Sequence, residues 1–238
     1  MELSTAPIEW YFMPNEKGLP PARTREADLL EAYGGYGIGS PEERVIYITF
    51  DMGYENGHMP QILDTLKKHD AKAAFFVVKH YIDSEADLVK RMVAEGHLVC
   101  NHSTHHKNMA KLTDFAAFAE EMQGVADAFE ALTGQRMAPH FRPPSGQYSE
   151  LCLSYAQRMG YHTIMWSFAY ADWDKNKQPA REQALAKIYP RTHNGEIALL
   201  HGTSATNAAI LDEVLTEWEN RGFAFGTLDQ LVQSRRLP

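Results

Sequence analysis

Apolar residues along the chain follow two alternating rhythms. Short runs dense in Val, Ile, Phe and Leu lie near 45–51, 72–78, 97–102, 139–143, 162–168, 196–201 and 223–227, each short and apolar enough to be a strand covered on both faces. Between them an apolar side chain recurs every three or four positions. Met59, Ile62, Leu63 and Leu66 form one helical stripe behind Pro60. Phe118, Met122, Val125, Phe129 and Leu132 form a second, with Thr113 as its expected N-cap, and Ile210, Leu211, Val214, Leu215 and Trp218 form a third that Gly222 closes. This alternation predicts consecutive βα units, hence an α/β fold with a parallel sheet. Residues 1–44 depart from it, with aromatics, prolines and one short helix expected near Glu26–Ala32. The run Gly34-Gly35-Tyr36-Gly37-Ile38-Gly39 is read as a loop. Its third glycine falls one place early for a dinucleotide fingerprint, and it precedes the first clear strand.

With 238 residues, 44% of them hydrophobic, the chain can bury the core of a single barrel. A net charge of −8, with Arg235-Arg236 as the longest basic cluster, argues against nucleic acid as a partner. Cys100 and Cys152 are too few for a disulfide framework, and Cys100 falls in an expected buried strand, so no structural disulfide is expected. No run approaches the roughly 18 apolar residues of a membrane helix, and the first 30 residues lack the pattern of a signal peptide.

Five polar clusters sit just past the C-terminal ends of five apolar runs: Asp51; His102 with His106; Arg142; Asp172; and His201. In parallel barrels the loops at that face converge on the chemistry, so these clusters predict one site. His102 and His106, four apart at the expected start of a turn or helix, either offer two imidazoles to one ion, zinc by preference, with His105 pointing elsewhere, or belong to a polar loop of three unrelated histidines. Asp51, before Gly53, either acts as general base on a water or caps the next turn. Arg142-Pro143-Pro144-Ser145-Gly146 either presents a guanidinium fork to Asp51 and the Ser145 N–H to a developing oxyanion, or is a rigid surface loop. His201, with Ser204 three residues on, is the candidate general acid. Asp172 would pair with it and raise its pKa, and Trp166 and Leu199 would wall a small acyl group. The sequon Asn101-His102-Ser103 is taken as accidental because its position is interior.

Together Thr49-Phe50-Asp51-Met52-Gly53, His102-Ser103-x-x-His106, Arg142-Pro143-Pro144-x-Gly146, Asp172-Trp173 and Leu199-Leu200-His201-x-x-Ser204 resemble, in order and spacing, the five motifs of the NodB-homology polysaccharide deacetylases, carbohydrate esterase family four. Gly53-Tyr54-Glu55-Asn56-Gly57 and Phe168-x-x-x-Asp172-Trp173 look like the delta-lactam-biosynthetic de-N-acetylase branch. The resemblance implies a distorted (β/α) barrel of about seven parallel strands, with a catalytic domain over 41–238 and an N-terminal extension, 1–40, packed on it. It implies Asp51 as base, Arg142 as the residue that orients it, His201 as acid with Asp172 as partner, and His102 and His106 as ligands of a divalent metal. The implied reaction is hydrolysis of an N-acetyl group on peptidoglycan muramic acid, on the spore-cortex route to muramic delta-lactam. The partner is then a glycan strand and the protein's place extracytoplasmic; a monomer is expected separately. Met52 departs from the pattern, which has Asp or Asn there as a metal ligand; a thioether is a poor oxygen substitute. A noncatalytic carbohydrate-binding protein on the same barrel is the competing reading, and chitin-like oligomers or acetylated xylan are alternative substrates.

Overall fold

The computed structural model describes residues 3–234; Arg235-Arg236 lie outside the described residues. In chain order the elements are β1 (Ile8–Glu9), α1 (Arg25–Ala32), β2 (Val45–Met52), α2 (Met59–Lys68), β3 (Ala73–Val77), α3 (Lys79–Ser84), α4 (Ala86–Ala94), β4 (Leu98–Asn101) and α5 (Phe115–Thr133). They continue with β5 (Ala138–Phe141), β6 (Gln147–Tyr148), α6 (Glu150–Arg158), β7 (His162–Thr163), α7 (Arg181–Arg191), β8 (Glu196–His201), α8 (Ala205–Asn220), β9 (Ala224–Phe225) and α9 (Leu228–Ser234).

Seven strands form one parallel sheet in the order β7-β5-β4-β3-β2-β8, with β9 beside the start of β2. The sheet curls into a half-barrel with helices outside it. The period of two along β2 explains how. Ile46, Ile48, Phe50 and Met52 turn outward into the cluster shared with Ile62, Leu63, Leu66, Leu211 and Trp218 of α2 and α8, while Tyr47 turns inward to Phe76, Cys100, Ile164 and Ile197. Local chemistry sets the helix ends. Asp114, not Thr113, caps α5, its carboxylate accepting the Ala117 N–H at 2.9 Å, and Gly134 ends that helix at φ 69°. Ser204 caps α8 through the Asn207 N–H at 3.0 Å, so its hydroxyl serves the helix. Cys100 and Cys152 are free and buried. Asn101 is fully buried and donates to the Met122 carbonyl at 2.9 Å, which removes the sequon from any glycosylating enzyme.

Two expected strands shrink. Of 223–227 only Ala224–Phe225 pairs, and of 162–168 only His162–Thr163. Beyond Thr163 side chains take the carbonyls a ladder would use: Arg142 donates to those of Ile164 and Met165, at 3.0 and 3.2 Å, and the Trp10 indole to that of Trp166 at 2.7 Å. Single bridges, Tyr36 to Ile164 and Phe168 to Ala198, span the seam between β7 and β8. The N-terminal segment contributes Tyr36 and Trp10 to this seam, and β1 pairs antiparallel with β6 just past the Arg142 loop. Periodicity gave no sign of β1, because a two-residue strand has none. Among the described residues no helix is long and apolar enough to cross a membrane.

Candidate active site

Parallel register brings the inward residues to one level. Asp51 at the end of β2 stands opposite Phe76 of β3 on one side and His201 of β8 on the other. His102 arrives immediately after β4, its N–H donating to the Val77 carbonyl at 3.1 Å.

Arg142 lies beneath them, fully buried, with all three of its nitrogens engaged. Nη1 donates to Asp51 Oδ1 and to Thr49 Oγ1, both at 2.8 Å, while Nε holds the Ile164 carbonyl and Nη2 the Met165 carbonyl. Its cationic plane lies over the Phe76 ring at 4.2 Å and near Trp166 at 5.6 Å. Burial opposes ionisation of Asp51, but the positive charge of Arg142 leads the opposing influences and holds the carboxyl below its usual range.

His102 donates Nδ1–H to the Arg142 carbonyl at 2.8 Å, since a carbonyl only accepts, and this leaves a lone pair on Nε2, 3.6 Å from Asp51 Oδ2. Burial pushes His102 down to about 4 and lowers His106 as well, so both rings are neutral at neutral pH. The rings meet edge to face with centroids 5.0 Å apart. They do so without a helix: residues 102–108 form a loop in which Ser103 and His106 are left-handed, at φ 67° and 55°. The two histidines therefore share no helical face, although their rings are adjacent. Two neutral imidazoles beside a carboxylate have the donor chemistry of a borderline divalent cation. The set is short by one, because among the described residues no three His, Cys, Asp or Glu side chains cluster tightly enough to enclose an ion. Met52 adds nothing to it, being fully buried in the outer apolar cluster with its thioether against Gly202.

His201 Nδ1 is 2.7 Å from Asp172 Oδ1, and its backbone N–H donates to Oδ2 at 2.9 Å. Asp172 is fully buried. Burial disfavours the charged imidazole, yet the hydrogen bond and charge of Asp172 outweigh it, and the pKa of His201 is raised.

The polysaccharide deacetylase family profile matches residues 38–164. Across 235 residues the chain is 37% identical to the peptidoglycan-N-acetylmuramic acid deacetylase PdaA of Bacillus subtilis, covering 98% of this chain and 89% of PdaA. The chain belongs to the polysaccharide deacetylase family. The solved structure of B. subtilis PdaA, a family 4 carbohydrate esterase, superposes with a TM-score of 0.94 at 35% identity, over 98% of this chain and 100% of that one. An uncharacterised 30.6 kDa protein of Geobacillus stearothermophilus is 42% identical over 98% of this chain and 88% of its own length. A family 4 pseudoenzyme from Bacillus anthracis superposes at a TM-score of 0.76 with 28% identity, over 83% and 68% of the two chains.

Several groups that support the deacetylase site carry no motif. Asn207, on the first turn of α8, donates to Asp172 Oδ2 at 2.6 Å and accepts from the Tyr170 hydroxyl. Gln178 donates to the Asp172 carbonyl at 2.7 Å and so ties down the loop beyond it. An amide side chain in a polar loop is indistinguishable by sequence from a solvated one, and only the closure of α8 onto 170–178 exposes these roles. Ser145 sits at the tip of the proline turn, exposed and left-handed at φ 57°. Trp166 is half-buried and packs on Gly146, and Trp10 donates its N–H to the Gly146 carbonyl at 2.9 Å. Leu199 faces inward one pleat below His201. Trp173 and Tyr54 are 61% and 71% exposed, the Trp173 ring edge-on to His201 at 6.4 Å and the Tyr54 ring edge-on to His80 at 6.3 Å.

Proposed function

We propose that the chain is a metal-assisted peptidoglycan N-deacetylase that removes acetyl from N-acetylmuramic acid, on the route to muramic delta-lactam in spore cortex. One observation carries the reading. On neighbouring strands at one register stand a carboxylate whose ionised form Arg142 favours and an imidazole whose protonated form Asp172 favours. A site that only bound sugar would have no use for two groups biased to opposite protonation states.

In the reaction Asp51 takes a proton from water as its oxygen bonds to the acetyl carbon. The carbon–nitrogen bond then breaks as His201 delivers its proton to the leaving amine, giving acetate and a free amino sugar. Arg142 favours the ionised form of Asp51 and fixes it, and Asp172 favours the charged form of His201. The left-handed turn at Ser145 offers a backbone N–H to the developing oxyanion, and Trp166 and Leu199 wall the acetyl methyl. His102 and His106 would hold a divalent cation, zinc by donor type; when bound, it supplies positive charge that acidifies water and polarises the acetyl carbonyl. Tyr54 and Trp173 suit stacking against sugar rings. The muramic preference rests on the similarity to PdaA, and so does an extracytoplasmic place of action on a glycan strand. The noncatalytic binder remains the second reading because Met52 leaves the donor set short and a pseudoenzyme shares the fold.

Mass spectrometry of glycan strands stripped of peptide, and of chitin oligomers, after incubation with the protein and each of several divalent metals is the test. Loss of one acetyl mass per muramic residue is the expected result. Loss from chitin oligomers alone would move the substrate, and no loss from either would favour the binder.

A further inference from the structure

One buried carboxylate has no part in the chemistry above. Glu121 projects from α5, 2% exposed, and all its side-chain bonds go to one short segment. Oε1 accepts from His105 Nδ1 at 2.8 Å and from Lys107 Nζ at 2.7 Å, and Oε2 accepts from the His105 backbone N–H at 3.0 Å. The Glu121 carbonyl accepts from both the N–H and the hydroxyl of Thr104, at 2.9 and 2.8 Å. Gly124, one turn along α5, makes room for this contact: a Cβ there would lie 2.5 Å from Thr104 Oγ1. A mid-helix glycine costs about 1 kcal/mol relative to alanine, so this one is placed for the close approach.

The segment so held contains His106, between the two tethered residues His105 and Lys107. Ser103 and His106 are both left-handed, which costs a non-glycine residue about 1–3 kcal/mol and persists only where the surroundings over-determine it. The side chains of His105 and Lys107 are 66% and 55% exposed, so their heads contribute little to packing and their bonds to Glu121 are their main structural engagement. We propose that Glu121 is a positioning residue: acting through His105 and Lys107, it holds His106 against His102 and toward Asp51 without touching substrate. This rests on the deacetylase reading.

The test compares wild type, Glu121→Ala, Glu121→Gln and the surface double variant His105→Ala/Lys107→Met, in kcat, KM and backbone hydrogen exchange. The double variant leaves the α5 core intact, so it reports even if Glu121→Ala fails to fold. Supporting groups of this kind typically contribute about 10–100-fold in activity. The expected result is a kcat at least tenfold lower in the double variant and in Glu121→Ala, with KM within twofold. Glu121→Gln should fall between, because an amide oxygen still accepts one of the loop donors. Exchange at residues 103–107 should quicken at least tenfold while the amides of α5 stay unchanged. Unchanged exchange in that loop would overturn the clamp, and faster exchange with an unchanged kcat would overturn its role in the reaction. A wild type without deacetylase activity would instead defeat the functional reading, while exchange still decides whether the clamp exists.

Discussion

The partners that His201 and Asp51 face favour opposite charge states, and this makes the proposed acid and base separately testable. Asp172 supplies the influence that overcomes burial at His201. Replacing it in Asp172→Asn should lower the His201 pKa, so the imidazole loses its proton sooner as pH rises. The alkaline limb of the pH–rate profile should then move to lower pH while the acidic limb stays. An unmoved alkaline limb would mean that another group donates the proton. Met52 yields a second prediction, because its side chain fills an apolar site where the family pattern has an oxygen donor. Because that side chain faces the outer cluster, Met52→Asp should leave zinc affinity unchanged by calorimetry. It should lose about 1–3 kcal/mol of stability, the cost of burying an unpaired polar group. A tighter zinc site in the variant would place the cation at this corner. Asp51, Arg142, Asp172 and His201 were legible as residues because each ends an apolar run. Asn207, Gln178 and Glu121 were not, since their roles depend on which helix closes over which loop.

At the scale of elements, the long strands and amphipathic helices follow from periodicity, whereas the segments that shape the site have none. The β7 run was expected to continue to Phe168, but Arg142 and Trp10 take its carbonyls, a competition that side-chain positions alone reveal. The His102–His106 segment, expected as a turn or helix start, is a loop with two left-handed residues. Trp10 links the N-terminal segment to the site through the Gly146 and Trp166 carbonyls. Trp10→Phe keeps the ring but removes the indole donor, leaving the Trp166 carbonyl without that partner. A loss of about 1 kcal/mol in stability is expected from denaturant unfolding. A several-fold rise in KM should accompany it, because Trp166 and the Ser145 turn lose their brace. Unchanged KM with lowered stability would confine Trp10 to folding.

Across the whole molecule, a parallel sheet collects at one edge the groups that five separate stretches of sequence supply. Asp51 and His201, 150 residues apart in the chain, come together only because β2 and β8 are neighbours in register. Sequence spacing alone could suggest their convergence but not their distance or their partners. Purified wild type, Asp51→Asn and His201→Ala, incubated with peptide-free peptidoglycan glycan strands and assayed for released acetate, test the central claim most directly. The wild type should release acetate, and each variant should lose about 10²–10⁴-fold in kcat while keeping a near-wild-type unfolding profile. Acetate release at the wild-type rate by either folded variant would contradict the assignment of base and acid.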